Sequence, residues 1–369
     1  MPKINITHRW LKPNPYMRSR VHDFNAYEWF RQYNLNIKPP YFLVVINYGN
    51  KQTAHNVDLF SYVDPYCIEL LQKSQAKFIF DSAGEGSNGI EPNFIQLLEQ
   101  SATKHNIPHQ NIFYLTLDTA EAKTCSSINV FYFNLTIHIL DKDEPFNNQT
   151  PTQFFSCLNR KPRYWRSRLQ YELLQSSFSE KILYSHPKVS SINDFIFRPY
   201  NKNEEADADM ILFYKSRQEK FYNDINQPGL RLVDVYSQVA FDVAMLSIQD
   251  RQEEIIDEKV FKPMLMKKPV ILWGVTDINI RGLEWLGFKT YEDWFDLSFD
   301  SETDTTTRLL LIKKEILRVC THLSTLNETE LNSWCNKNQQ VLEHNYNLVR
   351  NFTINDHSMK RFIEIINAT

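Results

Sequence analysis

The sequence is poor in glycine, with only 8 in 369 residues. That scarcity counts against a phosphate loop assembled from several glycines, and neither G-x-G-x-x-G nor G-x-x-x-x-G-K-[ST] occurs. Cysteine is sparse too. Cys67, Cys125, Cys157, Cys320 and Cys335 are odd in number, scattered, and lack metal-site spacing such as C-x-x-C. They read as buried free thiols of a reducing compartment. No run approaches 18 apolar residues, and Met1-Pro2-Lys3 opens no apolar signal segment. A cytoplasmic protein without a membrane span is therefore expected. The net charge of −3 argues against non-specific nucleic-acid binding by the whole surface and leaves room for a local patch.

What is present is aromatic and apolar: 25 Phe, 18 Tyr and 7 Trp among 42% hydrophobic residues, enough for two substantial cores. An uninterrupted apolar run at Tyr41–Ile46 and further strand patterns at Lys77–Phe80, Asn111–Thr116 and Ile128–Phe133 alternate with helical patterns at Tyr66–Gln75 and Phe94–His105. The second of these places Phe94, Leu97, Leu98 and Ala102 on one face. This rhythm predicts an α/β domain with a mainly parallel sheet over residues 1–150. Residues 141–153 are polar and serve as the linker. A second rhythm covers 151–325: strands at Gln153–Leu158, Lys181–Tyr184, Val233–Tyr236 and within Gln238–Ile248, a helix over Arg163–Ser176, and a strand-like piece from Gly287 to Tyr291. Residues 326–369 read as a helical tail, with one helix over Asn327–Val349 opened by a capping box of Asn327 and Glu330. The basic, aromatic first forty residues read either as an element covering the first domain or as a patch that steers an anionic acceptor.

Two stretches of the second domain carry chemistry. The turn Asn159-Arg160-Lys161-Pro162 leads into a helix with Arg163, Arg166 and Arg168 in its early turns, a basic strand-turn-helix suited to capturing a diphosphate. Arginine suits the helix dipole poorly there, since a first turn prefers acids. The second stretch is Asp257 to Gly274. It begins a helix carrying Glu258, Lys259 and Lys262, breaks at Lys268-Pro269 and continues as the strand Val270–Trp273. The lysines and the helix N-terminus can meet phosphate while the carboxylate accepts from sugar hydroxyls. The alternative is that Glu258 and Lys262 form an ordinary exposed i,i+4 pair. In the first domain, Asp81 and Glu85 follow the second strand beside Gly84 and Gly86, where a general base for a hydroxyl would sit. Their alternative is a helix cap or a solvent-facing pair. Asp207-Ala-Asp209 has the form of a D-x-D metal motif, but the apolar run follows it instead of preceding it, so no metal is expected.

The segment Asp257–Gly274, continued by Arg281-Gly-Leu-Glu-Trp-Leu-Gly-Phe-Lys-Thr-Tyr291, resembles the carboxy-terminal domain of GT-B-type glycosyltransferases, especially the glycosyltransferase-like proteins of large phages and viruses. Its Glu-Lys pair, apolar helix and Pro-Val-Ile-Leu-Trp-Gly strand are similar to the donor motif of α-1,3-fucosyltransferases. Phe155-Ser-Cys-Leu-Asn-Arg-Lys-Pro-Arg163 looks like the basic first strand-turn of the same domain. The resemblance covers roughly residues 151–300. It implies two Rossmann-like domains facing across a cleft, with a final helix crossing back to the first. A nucleotide-diphosphate sugar would be co-substrate, with no further cofactor required. Glu258 would hold sugar or ribose hydroxyls, Lys259 and Lys262 the diphosphate, and Asn159, Arg160 and Arg163 its other side. The acceptor would be a glycan, a protein or a hydroxymethylated base in DNA. Two further readings stay open: a catalytically silent binding module on the same fold, and another α/β enzyme acting on a phosphorylated substrate.

Overall fold

The computed structural model describes residues 42–44, 58–63, 65–82, 94–134, 149–159, 161–186, 189, 191–194, 204–216, 232–246, 249, 254–351, 358, 360–362 and 364–365. The chain forms two compact units, residues 1–138 with 353–369, and residues 139–352. Both are mixed α/β with parallel sheets. No helix among the described residues is long and apolar enough to cross a membrane.

In the first unit β1 (Phe42–Val44), α1 (Pro65–Gln72), β2 (Phe78–Ser82), α2 (Phe94–Lys104), β3 (Ile112–Thr116), α3 (Thr119–Lys123) and β4 (Asn129–Tyr132) follow one another. The strands lie side by side in chain order, all parallel. β3 is buried at all five positions, as a strand covered on both faces must be. On one face Phe80 packs on Phe94 and Tyr114, with ring centroids 4.8 and 5.6 Å apart. On the other, Phe113 and Phe131 meet Phe362 edge-on at 5.6 and 5.3 Å. The end of the chain therefore completes the first unit's core. α2 buries Phe94, Ile95, Leu98, Ser101 and Ala102. Leu97, expected on that face, is half-buried, and Ile95 takes its place.

The second unit runs β5 (Gln153–Leu158), α4 (Tyr164–Leu174), β6 (Ile182–Ser185), α5 (Glu204–Lys215), α6 (Leu232–Tyr236), β7 (Val239–Met245), α7 (Glu258–Leu265), β8 (Val270–Trp273), α8 (Leu283–Trp285), α9 (Thr305–Leu323), α10 (Glu328–Cys335) and α11 (Gln339–Arg350). Its sheet is parallel in the order β6-β5-β7-β8. From β5 the chain steps to β6 on one side and later returns to β7 on the other. The strand order reverses between β5 and β7, and in such sheets a crevice opens beyond the carboxyl ends of the two diverging strands.

Three elements differ from the sequence reading. Val233–Tyr236 is the helix α6 and not a strand. Its β-branched composition misleads, whereas Val233 and Tyr236, three apart, are both buried as on one helix face. Residues 288–291 form no strand. Asn345 of α11 satisfies that extended backbone, accepting from the Lys289 amide and donating to its carbonyl at 2.9 Å each. The expected helix over 327–349 is broken at residues 336–338, where Asn338 caps α11 by accepting from Val341 N. The Asn327–Glu330 capping box is present. Both helices belong to the second unit, and of residues 326–369 only 353–369 belong to the first. Most of the polar linker lies outside the described residues.

Candidate functional site

The reversal point of the second sheet is where the two basic stretches converge. Asn159 directly follows β5 and is fully enclosed. Its amide donates to the carbonyl and hydroxyl oxygens of Ser185 at 3.1 Å each, and its Nδ2 donates to Ser167 Oγ at 3.1 Å. The Ser167 contact holds the side-chain amide, and its Oδ1 is buried with no hydrogen-bond partner. Arg163 then holds the N-cap position of α4 in extended conformation, with no capping hydrogen bond from its side chain. A cation thus occupies the place where Ser, Thr, Asn or Asp would stabilise the helix. Arg166 follows in the first turn and donates from Nε to Leu246 O at 2.7 Å, just past β7. The Trp273 indole donates to Trp165 O at 3.0 Å, so the first turn of α4 is tied to the ends of both β7 and β8. At Gly274 a Cβ would lie 2.7 Å from Leu246 Cδ1, and glycine permits that approach.

From the other side comes α7. Asp257 is its N-cap, accepting from Lys259 N. Lys259 Nζ bridges Asp257 Oδ2 and Glu258 Oε1 at 2.8 Å each. Glu258 is only 3% exposed, and its Oε2 is buried without a partner. Lys262, four residues on, is 5% exposed. The exposed-pair alternative for Glu258 and Lys262 is thereby excluded. The helix begins at Glu258 and passes through Pro263. Left-handed Lys267 ends it, with Lys268 N donating to Pro263 O at 2.9 Å.

Electrostatically this is a buried mixed-charge cluster. Burial and the Arg163 charge push Arg166 down to about 9, opposed by Asp257 and Glu258, and it stays a cation at neutral pH. Burial also lowers Lys262, against the pull of Glu258, Asp257 and Asp242. Buried charges persist only when paired, and here cations and carboxylates hold one another. What remains open are two acceptors, Glu258 Oε2 and Asn159 Oδ1. An occupant would bring hydroxyl or amide donors to them and negative charge to the arginines.

Neither protein-family models nor curated proteins match this chain.

The structure brings together Asn159, Arg163, Glu258, Lys259 and Lys262. Lys161 is exposed on the turn before α4. Arg160 and Glu85 lie outside the described residues. Asp81 is the penultimate residue of β2, paired in register with Leu115 at the carboxyl end of the first sheet. Asp207 and Asp209 lie within α5, not on a loop after a strand. Sequence reasoning placed Arg166 in the basic start of the helix without giving it a ligand role, and it gave Asp257 and Asp242 none. Arg166 is the i+3 neighbour of Arg163, on the same helix face.

Proposed function

We propose that this protein is a glycosyltransferase with a GT-B arrangement of its two units, acting in the cytoplasm, with a nucleotide-diphosphate sugar bound at the reversal point of the second sheet. The observation that supports this most is the buried, unpartnered carboxylate oxygen of Glu258 within electrostatic reach of an arginine-bearing helix N-terminus. One ligand chemistry satisfies both: an anion that also carries hydroxyls. In this reading Arg163 and Arg166, with the dipole of α4, take the diphosphate. Glu258 accepts from ribose or sugar hydroxyls, and Lys259 keeps its carboxylate oriented. The return of residues 353–369 to the first unit also suits a GT-B chain.

The reaction then needs little from the protein beyond charge and a base. The acceptor oxygen bonds to the anomeric carbon while the bond from that carbon to the diphosphate breaks. The cations stabilise the charge left on the departing diphosphate, as a metal does in other transferases. The hydroxyl proton passes to a carboxylate of the first unit, for which Asp81 and Glu85 are the candidates. The acceptor is a glycan or a modified DNA base.

A thermal-shift screen against UDP, GDP, CMP and ADP and their common sugars tests this reading. A ligand at about 100 times its dissociation constant adds roughly 2.7 kcal/mol of stability. One nucleotide sugar is expected to shift the wild type and to leave Arg163→Ala unshifted. No shift by any of them at millimolar concentration would sink the transferase reading and favour the silent binding module.

A further inference from the structure

Arg166 is tied to the sheet through the carbonyl of Leu246, the residue just past β7. That carbonyl has a second donor. Gln249, three residues on and 3% exposed, turns its carboxamide back and donates from Nε2 to Leu246 O. The same nitrogen lies 3.4 Å from the carbonyl oxygen of Trp273, the last residue of β8, which also accepts from Leu246 N at 3.0 Å. One carboxamide therefore spans the carboxyl ends of β7 and β8 and meets Arg166 on a shared oxygen. Gln249 is itself fixed from α9. Arg308, 3% exposed, donates from Nη2 to Gln249 O, and from Nη1 to Glu302 O and, at 3.0 Å, to Thr276 Oγ1. Its guanidinium lies 5.7 Å from the centre of the Trp273 ring, whose indole nitrogen reaches Trp165 O. Arg308 thus connects to the first turn of α4 along two routes, one ending on Arg166 and the other on its neighbour Trp165.

We propose that Gln249 is a positioning residue of the donor site that acts through Arg166: by sharing the Leu246 carbonyl it fixes the plane in which the Arg166 guanidinium meets an anion at the N-terminus of α4. The inference rests on the donor-site reading. A guanidinium is a planar fork of N–H groups, so the oxygen that holds Nε also sets where the two terminal nitrogens point. Bidentate contact with a phosphate rewards a direction set before the ligand arrives, because less freedom is lost on binding. A carbonyl oxygen carries two lone pairs. With Gln249 on one and Arg166 on the other, the Leu246 carbonyl cannot turn away from Arg166 without breaking a second hydrogen bond. Nε2 of Gln249 is spent on backbone carbonyls, so this side chain brings the ligand no N–H of its own and works through the arginine.

Calorimetric titration of the full chain with UDP-glucose, GDP-mannose and, as a nucleotide-free probe, sodium pyrophosphate tests this as a cycle. The four proteins are the wild type, Gln249→Met, Arg166→Lys and the double variant. Methionine keeps the length of the side chain and removes the donor, whereas lysine keeps the charge and removes the fork. Gln249→Met is expected to weaken binding about tenfold on its own, as for residues that share one hydrogen-bond network, and not at all in the Arg166→Lys background. Gln249→Asn, which keeps the amide one methylene short of Leu246, takes its place in the cycle if Gln249→Met fails to fold. In the free protein the Nε–H NMR signal of Arg166, assigned by its loss in Arg166→Lys, is expected to be sharp in the wild type and broadened in the Gln249 variant. Wild-type affinity in the Gln249 variant, an equal loss in both Arg166 backgrounds, or an unchanged Arg166 signal overturns the positioning role and leaves the donor site standing. Failure of all three probes to bind the wild type overturns the donor site, and the positioning role with it.

Discussion

Lys77 in the first unit and Lys262 in the second are both buried in parallel α/β folds, and the two are handled in opposite ways. In the first unit Lys77, 2% exposed, donates to Asn111 Oδ1 at 2.9 Å. Asn111 spends its amide protons on Leu71 O and Ser74 Oγ, at 2.8 and 3.0 Å. This network closes on itself, just before the amino end of β2, where parallel sheets do not bind ligands. Burial lowers the Lys77 pKa, and nothing there asks for an occupant. In the second unit Lys262 belongs to a cluster beyond the carboxyl ends of β5 and β7, and that cluster ends in two unpartnered acceptors. Buried charge alone therefore does not mark a site. An open valence at the ligand-binding end of a sheet does.

The largest effect that would break this contrast belongs to Glu258. Glu258→Gln keeps the side-chain shape and removes the charge facing Arg166. Donor affinity in calorimetry is expected to fall about 100-fold, near 2.7 kcal/mol, with the fold retained. If the glutamine variant bound the donor like the wild type, the open acceptor would be as structural as Asn111, and the distinction between the two networks would fall.

The strands of both units were legible because a strand covered on both faces is largely apolar, as in residues 112–116 and, apart from Asp242, in 239–245. The basic turn after β5 and the Glu-Lys pair opening α7 were legible as residue types set against a helix dipole. Their convergence was not. It depends on the order β6-β5-β7-β8, which comes from long-range pairing between segments some 85 residues apart, such as Ser156 and Asp242. Asp242 itself sits in an apolar run, and nothing local distinguishes it from a misplaced surface residue. The strand misreading at Val233–Tyr236 has a local cause, since β-branched residues also pack on the face of a short helix. The missed break at Asn338 has one too, because an asparagine inside a helical pattern reads as a cap only when its neighbours end the preceding helix.

The closed network supplies the next effect. Asn111→Ala leaves Lys77 buried without its acceptor and withdraws donors from Leu71 O and Ser74 Oγ. Loss of a hydrogen bond to a buried charge costs roughly 2–3 kcal/mol, read as a lower urea midpoint with the slope unchanged. Donor affinity is expected to stay at the wild-type value. A large loss of affinity in this variant would mean that the Lys77 network serves binding, against its position at the amino end of the strands.

The smallest effect separates closure from location. Asn327 and Glu330 form a reciprocal capping box at the start of α10: Glu330 N donates to Asn327 Oδ1 at 3.0 Å, and Asn327 N to Glu330 Oε2 at 2.9 Å. Like the Lys77 network it is closed, yet it lies in the unit that carries the candidate site. Asn327→Ala removes the cap and is expected to cost about 1 kcal/mol of stability. Donor binding should be unchanged, because α10 reaches the sheet through Cys335 and Trp334, against Ala240 and Phe241 of β7, before the carboxyl end of that strand. A binding loss larger than the stability loss would show that any disturbance of the second unit propagates to Glu258. Equal affinity would leave the open acceptors, and not the unit as a whole, as what sets that end of the sheet apart.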